Sequence, residues 1–429
     1  MGAEDLNPTL PADKRWTWRV FAAAWLAMVA NPASISAGAS LLSFGVRVGE
    51  AAAAHLLGGL VLWAALVAAA WPGVQHGIPF PVQCRASFGV LGAHFCTLTR
   101  GAVALLWLSF QLWQATLGLH EGILRVGGRE LSEWGRINEN LTALQLALLL
   151  GFVQLHAVAI AIGVSRFRLL AFVSTPIQIA GFGVIVVWLC ALCPFDEAIA
   201  AANANVSAAE AASGPYANAR LLGFLAAVNA SVSTWSTLVL NVCDLSRFAP
   251  SQKDQVIGQG LGLPLTFTLT GFVGLWGAGA TQVAFGHAMW QVPQYFGAWP
   301  PAGAMLGALV LAVAILAVNV FANLLSPMND ILNLAPTVLQ FRACGYACLC
   351  IAVLVCPWWL FSSQRSFVLT FLNGYAIVTG AIAGVLLSDF WVLKRGALDV
   401  KALYEPSRCF RRNAIRSNGA DDTHSDSQG

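Results

Sequence analysis

Hydrophobic positions in this chain form long unbroken runs rather than alternating faces. Runs of spanning length fall at 17–45, 52–72, 98–124, 141–163, 168–192, 220–245, 258–281, 302–334, 338–361 and 367–393. A helix of about 20 apolar residues crosses the hydrocarbon core of a bilayer. The pattern therefore predicts ten membrane helices, the longer ones tilted or broken. Two runs are interrupted by polar residues deep inside. In 30–45 (ANPASISAGASLLSFG) the interruption is Asn31, Pro32, Gly38, Gly45 and four serines. Pro32 has no backbone donor and clashes with the preceding turn. In 221–245 it is Asn229, Ser231, Ser233, Thr234 and Trp235. Backbone freed at membrane depth must be buried in protein or line a cavity. Interrupted helices in matching positions of two halves point to a transporter binding site near the midplane. A kinked helix packed through small residues is the alternative.

Composition narrows the class. The chain is 58% hydrophobic and 10% charged, against about 25% charged in soluble domains. This predicts an all-α polytopic membrane protein without a separate soluble domain. The first run follows Glu4, Asp5, Asp13, Lys14 and Arg15 and is too long for a signal-peptide core, so it reads as a retained span. With the N-terminus in the cytoplasm, seventeen Lys and Arg fall inside and six outside, the expected bias. The domain reading is a cytoplasmic tail at 1–15, a transmembrane core at 16–396 and a polar, disordered cytoplasmic tail at 397–429. The sequon Asn205-Val-Ser207 falls in a predicted external loop. The prolines and glycines of 75–96 predict an interfacial or re-entrant segment rather than a regular helix. Cys344, Cys348 and Cys350 lie close together without His or acidic neighbours, so they read as small apolar side chains rather than a metal site. No nucleophile–base or metal constellation argues for an enzyme, and no nucleic-acid partner is expected.

Polar residues inside the runs are the candidates for chemistry. Trp107 and Gln111 are four apart and share a helical face. An indole beside a primary amide can stack on a flat heterocycle and hydrogen-bond its edge; membership of an interfacial aromatic belt is the alternative for the indoles. Trp235 adds a second indole. Asn319 and Asn323 are again four apart, and buried amides are costly unless paired. A helix–helix hydrogen bond would satisfy them, yet beside Trp107, Gln111 and Trp235 a ligand site is the better reading. Asp244 and Arg247, three apart, read as a local charge pair.

The same residues resemble the nucleobase:cation symporter family of cytosine/purine, uracil, thiamine, allantoin and hydantoin permeases. The matching segments are GIPFPVQCRASFGVLGA (77–93), WLSFQLW (107–113), TWSTLVLNVCDLSRFAPSQKDQVIGQGLGLP (234–264), NVFANLLSPMNDILNLAP (319–336), CPWWL (356–360) and SDFWVLKRGALDVKALYEP (388–406). The uracil, allantoin and purine members are the nearest in 234–264. The resemblance implies a five-plus-five inverted-repeat core of the leucine-transporter type, with helices one and six broken. It implies alternating-access transport of a small planar substrate across the plasma membrane, coupled to H+ or Na+, with no other cofactor. Trp107 and Trp235 would sandwich the substrate, Gln111 and Asn323 would bond its edge, and Asn31 would add a contact. The cation would rest on carbonyls near Ala27 and Ala30 and on hydroxyls of span eight. Here the span-eight positions are Ala317 and Val318, which offer a hard cation no side-chain oxygen. The family also carries two further spans after the segment resembling 388–406, where this chain turns polar. An amino acid or other metabolite as substrate, and a non-transporting sensor on the same core, are the alternative functions.

Overall fold

The computed structural model describes residues 6–132, 135–163, 167–211, 219–360 and 372–405. The first span is two helices, α1 (Trp18–Val29) and α2 (Pro32–Ser40), bent by 62° at their junction. Spans two to five are α3 (Val48–His76), α4 (Phe80–Gly127), α5 (Ala143–Ile162) and α6 (Phe167–Leu192). A further helix, α7 (Phe195–Ala211), precedes span six, which is α8 (Arg220–Asn241) with the short turn α9 (Cys243–Ser246). Span seven joins α10 (Gln252–Gly262) to α11 (Pro264–Phe285). After the short α12 (Val292–Phe296), span eight is α13 (Pro301–Val318), a π-helical turn (Asn319–Leu324) and α14 (Leu325–Leu334). Span nine is α15 (Phe341–Leu354), followed by α16 (Pro357–Leu360). Span ten is α17 (Leu372–Ser388) with a π turn (Asp389–Leu393), and α18 (Val400–Tyr404) follows it. The hairpin of β1 (Arg136–Asn138) and β2 (Leu141–Thr142) leads into α5, whose Thr142–Gln145 capping box satisfies its first donors. Among the described residues eight helices are long and apolar enough to cross a bilayer, and the bent first pair makes a ninth; α15 is shorter.

The packing carries an internal two-fold pattern. Span one packs on span seven, and span two on span six; span one packs on span five, and span six on span ten. Span three meets span four as span eight meets span nine. Span three also touches spans six and ten, and span eight touches spans one and five. Exchanging spans one to five with six to ten leaves this neighbour list unchanged. Because each half has an odd number of spans, the second crosses with opposite polarity. The core is a five-plus-five inverted repeat.

A helix lies in each of the ten runs, nine of them of spanning length among the described residues, and the expectations fail in four further places. Helix six is not broken at 229–235. The hydroxyls of Ser231, Ser233 and Thr234 donate to the carbonyls one turn earlier, Ala227, Asn229 and Ala230, at 2.7–3.0 Å. This back-bonding keeps small polar residues inside a helix, and the interruption comes only at Val242. The 75–96 segment is helical from Phe80. Its Pro81 stands in the first turn, where no helical donor is lost. The irregularity lies in the coil at 77–79, where Gly77 has φ 70°, and within the helix at Gly89, with φ 70° and ψ −178°, a backbone conformation open to glycine alone. The sequon residue Asn205 falls within α7, not in a loop. Finally, the start of the C-terminal tail is packed. Leu403 is buried with Ile78 and Val82, and the Tyr404 hydroxyl donates to Leu6 O at 2.6 Å. Burial pushes the Tyr404 phenol up to about 12, so it keeps its proton. The predicted disordered tail begins too early; residues 406–429 lie outside the described residues.

The upper half of the break depends on a close approach of α2 to α11. A methyl on Gly274 would sit 1.9 Å from Ile35 O, and one on Gly38 would sit 2.1 Å from Gly271 O. Such backbone contact is how small residues join membrane helices. Gly274→Val is expected to abolish recovery of a monodisperse protein, by overpacking that costs about 1–3 kcal/mol or more. Gly151→Ala, where the methyl meets nothing within 4 Å, should leave the elution profile unchanged. Size-exclusion chromatography in detergent checks both.

Candidate functional site

The site is built on the break in span one. Asn31 stands between α1 and α2 and serves both ends. Its Oδ1 accepts from the N–H groups of Ala33 (2.7 Å) and Ser34 (3.3 Å), capping α2. Its Nδ2 donates back to Met28 O, and its backbone N–H donates to Val29 O at 2.8 Å. Pro32 occupies the first position of α2, which needs no donor.

Asn31, Trp107, Gln111, Trp235 and Asn323, the five candidate substrate residues, line one cavity between spans one, three, six and eight. Trp235 lies edge-on against Trp25 at 6.1 Å between ring centroids. Trp107 packs edge-on against Phe110 at 5.8 Å and shares a cluster with Tyr375. The Tyr375 hydroxyl donates to Ser233 O at 2.7 Å, tying span ten to span six beside the cavity. Two polar atoms here, Gln111 Oε1 and Trp235 Nε1, are buried without a hydrogen-bond partner. An unmade bond of this kind costs about 1–3 kcal/mol. The cavity is about 20 Å³, room for water but not for a ring.

Asn323 belongs to a relay that the sequence only half reveals. Its Nδ2 donates to Asn319 Oδ1 at 2.9 Å, across the π turn of span eight. Asn319 Nδ2 meets His156 Nε2 of span four at 3.1 Å, and His156 Nδ1 meets Phe152 O at 2.8 Å. A carbonyl only accepts, so His156 Nδ1 carries the proton and Nε2 accepts from Asn319. The tautomer follows from this network. Each amide in the row is thereby oriented, and Asn323 keeps its Oδ1 and a second Nδ2–H. With the Gln111 amide and the Trp235 N–H, the site presents both acceptors and donors.

The carbonyls of Ala27 and Ala30 lie at the same break. They face Gln178 of α6, whose amide nitrogen, in the orientation that satisfies both, donates to Ala30 O at 3.0 Å and to Ala27 O at 3.1 Å. Ala317 and Val318 are fully buried and bring no oxygen-bearing side chain. These residues do not fit a hard cation. Beyond Gln178 opens a larger cavity of about 510 Å³ between spans one, five and eight, walled by aromatic and aliphatic side chains such as Phe182, Trp188, Phe296 and Trp299.

A buried charge cluster ties span three to spans six and eight, and it was not legible as such. Arg100, 1% exposed, donates to Asn241 Oδ1 (2.7 Å) and to Ala322 O in the π turn (2.8 Å). Asp330 accepts from Ser326 (3.4 Å) within the field of Arg100. Asp244 accepts from Phe80 N (3.1 Å) and Asn329 Nδ2 (3.2 Å). Asp244 therefore joins three elements, more than the local pair expected with Arg247. His156, Gln178, Arg100 and Asp330 each carried one signal, a polar residue within or at the end of an apolar run, but its partner across the fold is 141 to 230 positions away. The clustered cysteines divide, with Cys344 and Cys348 in the core and Cys350 facing out.

Residues 9–410 match the sequence pattern of a family described as "Permease for cytosine/purines, uracil, thiamine, allantoin". The chain is 29% identical over 407 residues to the "Allantoin permease" of Bacillus subtilis, covering 94% of this chain and 80% of that one. It is 29% identical over 409 residues to the "Purine-uracil permease NCS1" of Arabidopsis thaliana, covering 94% of this chain and 66% of that one. The fold is similar to a solved structure of Mhp1, a nucleobase-cation-symport-1 family transporter in a closed conformation with bromovinylhydantoin bound. That match has a TM-score of 0.74 and 21% identity and covers 94% of this chain and 84% of that one.

The relay predicts coupling between His156 and Asn319. His156→Leu and Asn319→Leu should each lower the thermal unfolding midpoint of the purified protein. The double variant should lose less than the two losses together, with an interaction on the order of 0.5–3 kcal/mol. Additive losses would mean that the two side chains do not act on each other.

Proposed function

This chain belongs to the family of permeases for cytosine/purines, uracil, thiamine and allantoin, and from that premise we propose that it carries a uracil-, allantoin- or purine-like planar heterocycle by alternating access. The direction is import, across the plasma membrane, with the N-terminus in the cytoplasm. The observation that carries this reading is the pair of unpartnered atoms, Gln111 Oε1 and Trp235 Nε1, in a cavity flanked by two indoles. A ring with an N–H along its edge satisfies Gln111 Oε1 and offers a flat face to each indole. Asn323, held by its relay, accepts a further ring N–H. The cavity at about 20 Å³ is a closed state of this site. The walls must part to admit a substrate and close again around it.

The same geometry speaks against an amino acid. A helix N-terminus at a break is where a transporter of this architecture holds a carboxylate. Here the first free N–H groups of α2, those of Ala33 and Ser34, are taken by Asn31 Oδ1, and Pro32 has none. A neutral heterocycle needs no such anion site.

Uptake of radiolabelled uracil, allantoin, adenine and hypoxanthine in cells lacking their own permeases tests the proposal. Saturable uptake of at least one is expected. Trp235→Ala and Asn323→Ala should each raise its apparent KM by about 5- to 150-fold, the equivalent of 1–3 kcal/mol for a lost stacking face or an unmade buried bond. Uptake inhibited by amino acids and by none of these bases would contradict it.

A further inference from the structure

The end of α1 leaves four carbonyls without a helical partner, as every helix end does. Their partners can be counted. Met28 O takes the Asn31 side chain, and Val29 O takes the Asn31 backbone N–H. Ala27 O and Ala30 O remain, and both are turned toward α6. Gln178, 4% exposed, meets them with one amide nitrogen at 3.1 and 3.0 Å. A primary amide has two N–H donors, one for each carbonyl. The opposite amide orientation would set an oxygen against two oxygens. One turn earlier, Thr175 Oγ1 donates to Ala23 O at 3.1 Å. Span five therefore grips span one at two successive levels, and the second level is the break itself.

A carbonyl pair at the negative end of a helix is a natural cation site, and hard cations need several oxygens. α13, which packs against α1, carries Ala317 and Val318 at its buried end, both without side-chain oxygen. We propose that the Gln178 amide is a built-in substitute for a coupling sodium ion. It fills the carbonyls that a cation would bridge and holds the end of α1 against span five at all times. Ligand binding and transport then need no sodium, and Gln178 is a positioning residue for the hinge of span one. The thermal part of the test below uses no substrate, so it stands apart from the substrate reading proposed above.

The experiment compares thermal unfolding of the purified full-length protein in sodium chloride and in choline chloride, alongside uptake in the same two salts. The wild type is expected to show equal midpoints and equal uptake in both. Gln178→Met keeps the volume but removes both donors. It should lower the midpoint and cut uptake by roughly tenfold or more, in line with two buried acceptors left unpaired. Gln178→Lys restores donors at the carbonyls, adds a positive charge there and should recover most of the uptake lost in Gln178→Met. The triple variant Gln178→Ala, Ala317→Ser, Val318→Thr rebuilds an oxygen set and should gain a midpoint that rises with sodium and not with choline. Ala317→Ser, Val318→Thr with Gln178 retained should show no sodium response. A wild type that is stabilised or driven by sodium would overturn the proposal, as would a Gln178→Met variant that matches the wild type. If Gln178→Met does not fold, equal wild-type behaviour in the two salts together with recovery in Gln178→Lys still supports it, and a sodium response still overturns it.

Discussion

Everything in this molecule turns on how one side chain, Asn31, closes the ends of two helices at once. A broken helix in a bilayer exposes donors on one side of the gap and acceptors on the other, and each is costly unless satisfied. Asn31 accepts from the donors of α2 and donates to an acceptor of α1. Gln178 takes the two acceptors that Asn31 cannot reach. The result is a 62° bend with few loose polar ends, and the corner it makes borders the cavity that the two indoles line. The break is therefore stable without a ligand, and its orientation is set by side chains of spans one and five.

Around that corner the polar groups fall into two kinds. The His156–Asn319–Asn323 relay and the Arg100 cluster bond across spans three, four, six and eight and hold them in register, while Arg100 Nη1, Asn241 Nδ2, Asp244 Oδ2 and Asp330 Oδ1 are left without a hydrogen-bond partner. Breaking one side of such a buried pair strands the other, which is why these contacts hold the packing so firmly. Gln111 Oε1 and Trp235 Nε1 are also buried and unmatched, and what sets them apart is their place: both residues line the cavity between spans one, three, six and eight. The larger apolar cavity, about 510 Å³, has volume but almost no such chemistry.

Much of this was legible in the sequence, and the reasons for the rest are physical. The ten runs appeared as helices because hydropathy and length leave a bilayer segment few options. The break at Asn31–Pro32 was legible because proline and a capping residue act locally. Trp107, Gln111, Trp235 and Asn323 were found through helical spacing and depth, although no local rule tells that they share a cavity. Small polar residues at 229–235 misled, since the same hydroxyls that suggest a break can bond back to their own helix and preserve it. Gln178 and Arg100 were missed as partners because their meaning lies in carbonyls that are distant in sequence. A backbone acceptor leaves no trace in the residue type that carries it. Leu403 and Tyr404 were read as tail because their apolar contacts lie hundreds of positions away, with Ile78, Val82 and Leu6.

The most direct test of the central claim is a cryo-electron microscopy map of the protein with a transported heterocycle bound. The account places the ring between Trp107 and Trp235, its edge within hydrogen-bonding distance of Gln111 and Asn323, in a cavity enlarged by movement at the span-one break. A ring found instead in the apolar cavity between spans one, five and eight, with Trp107 and Trp235 still in their present packing, would contradict it.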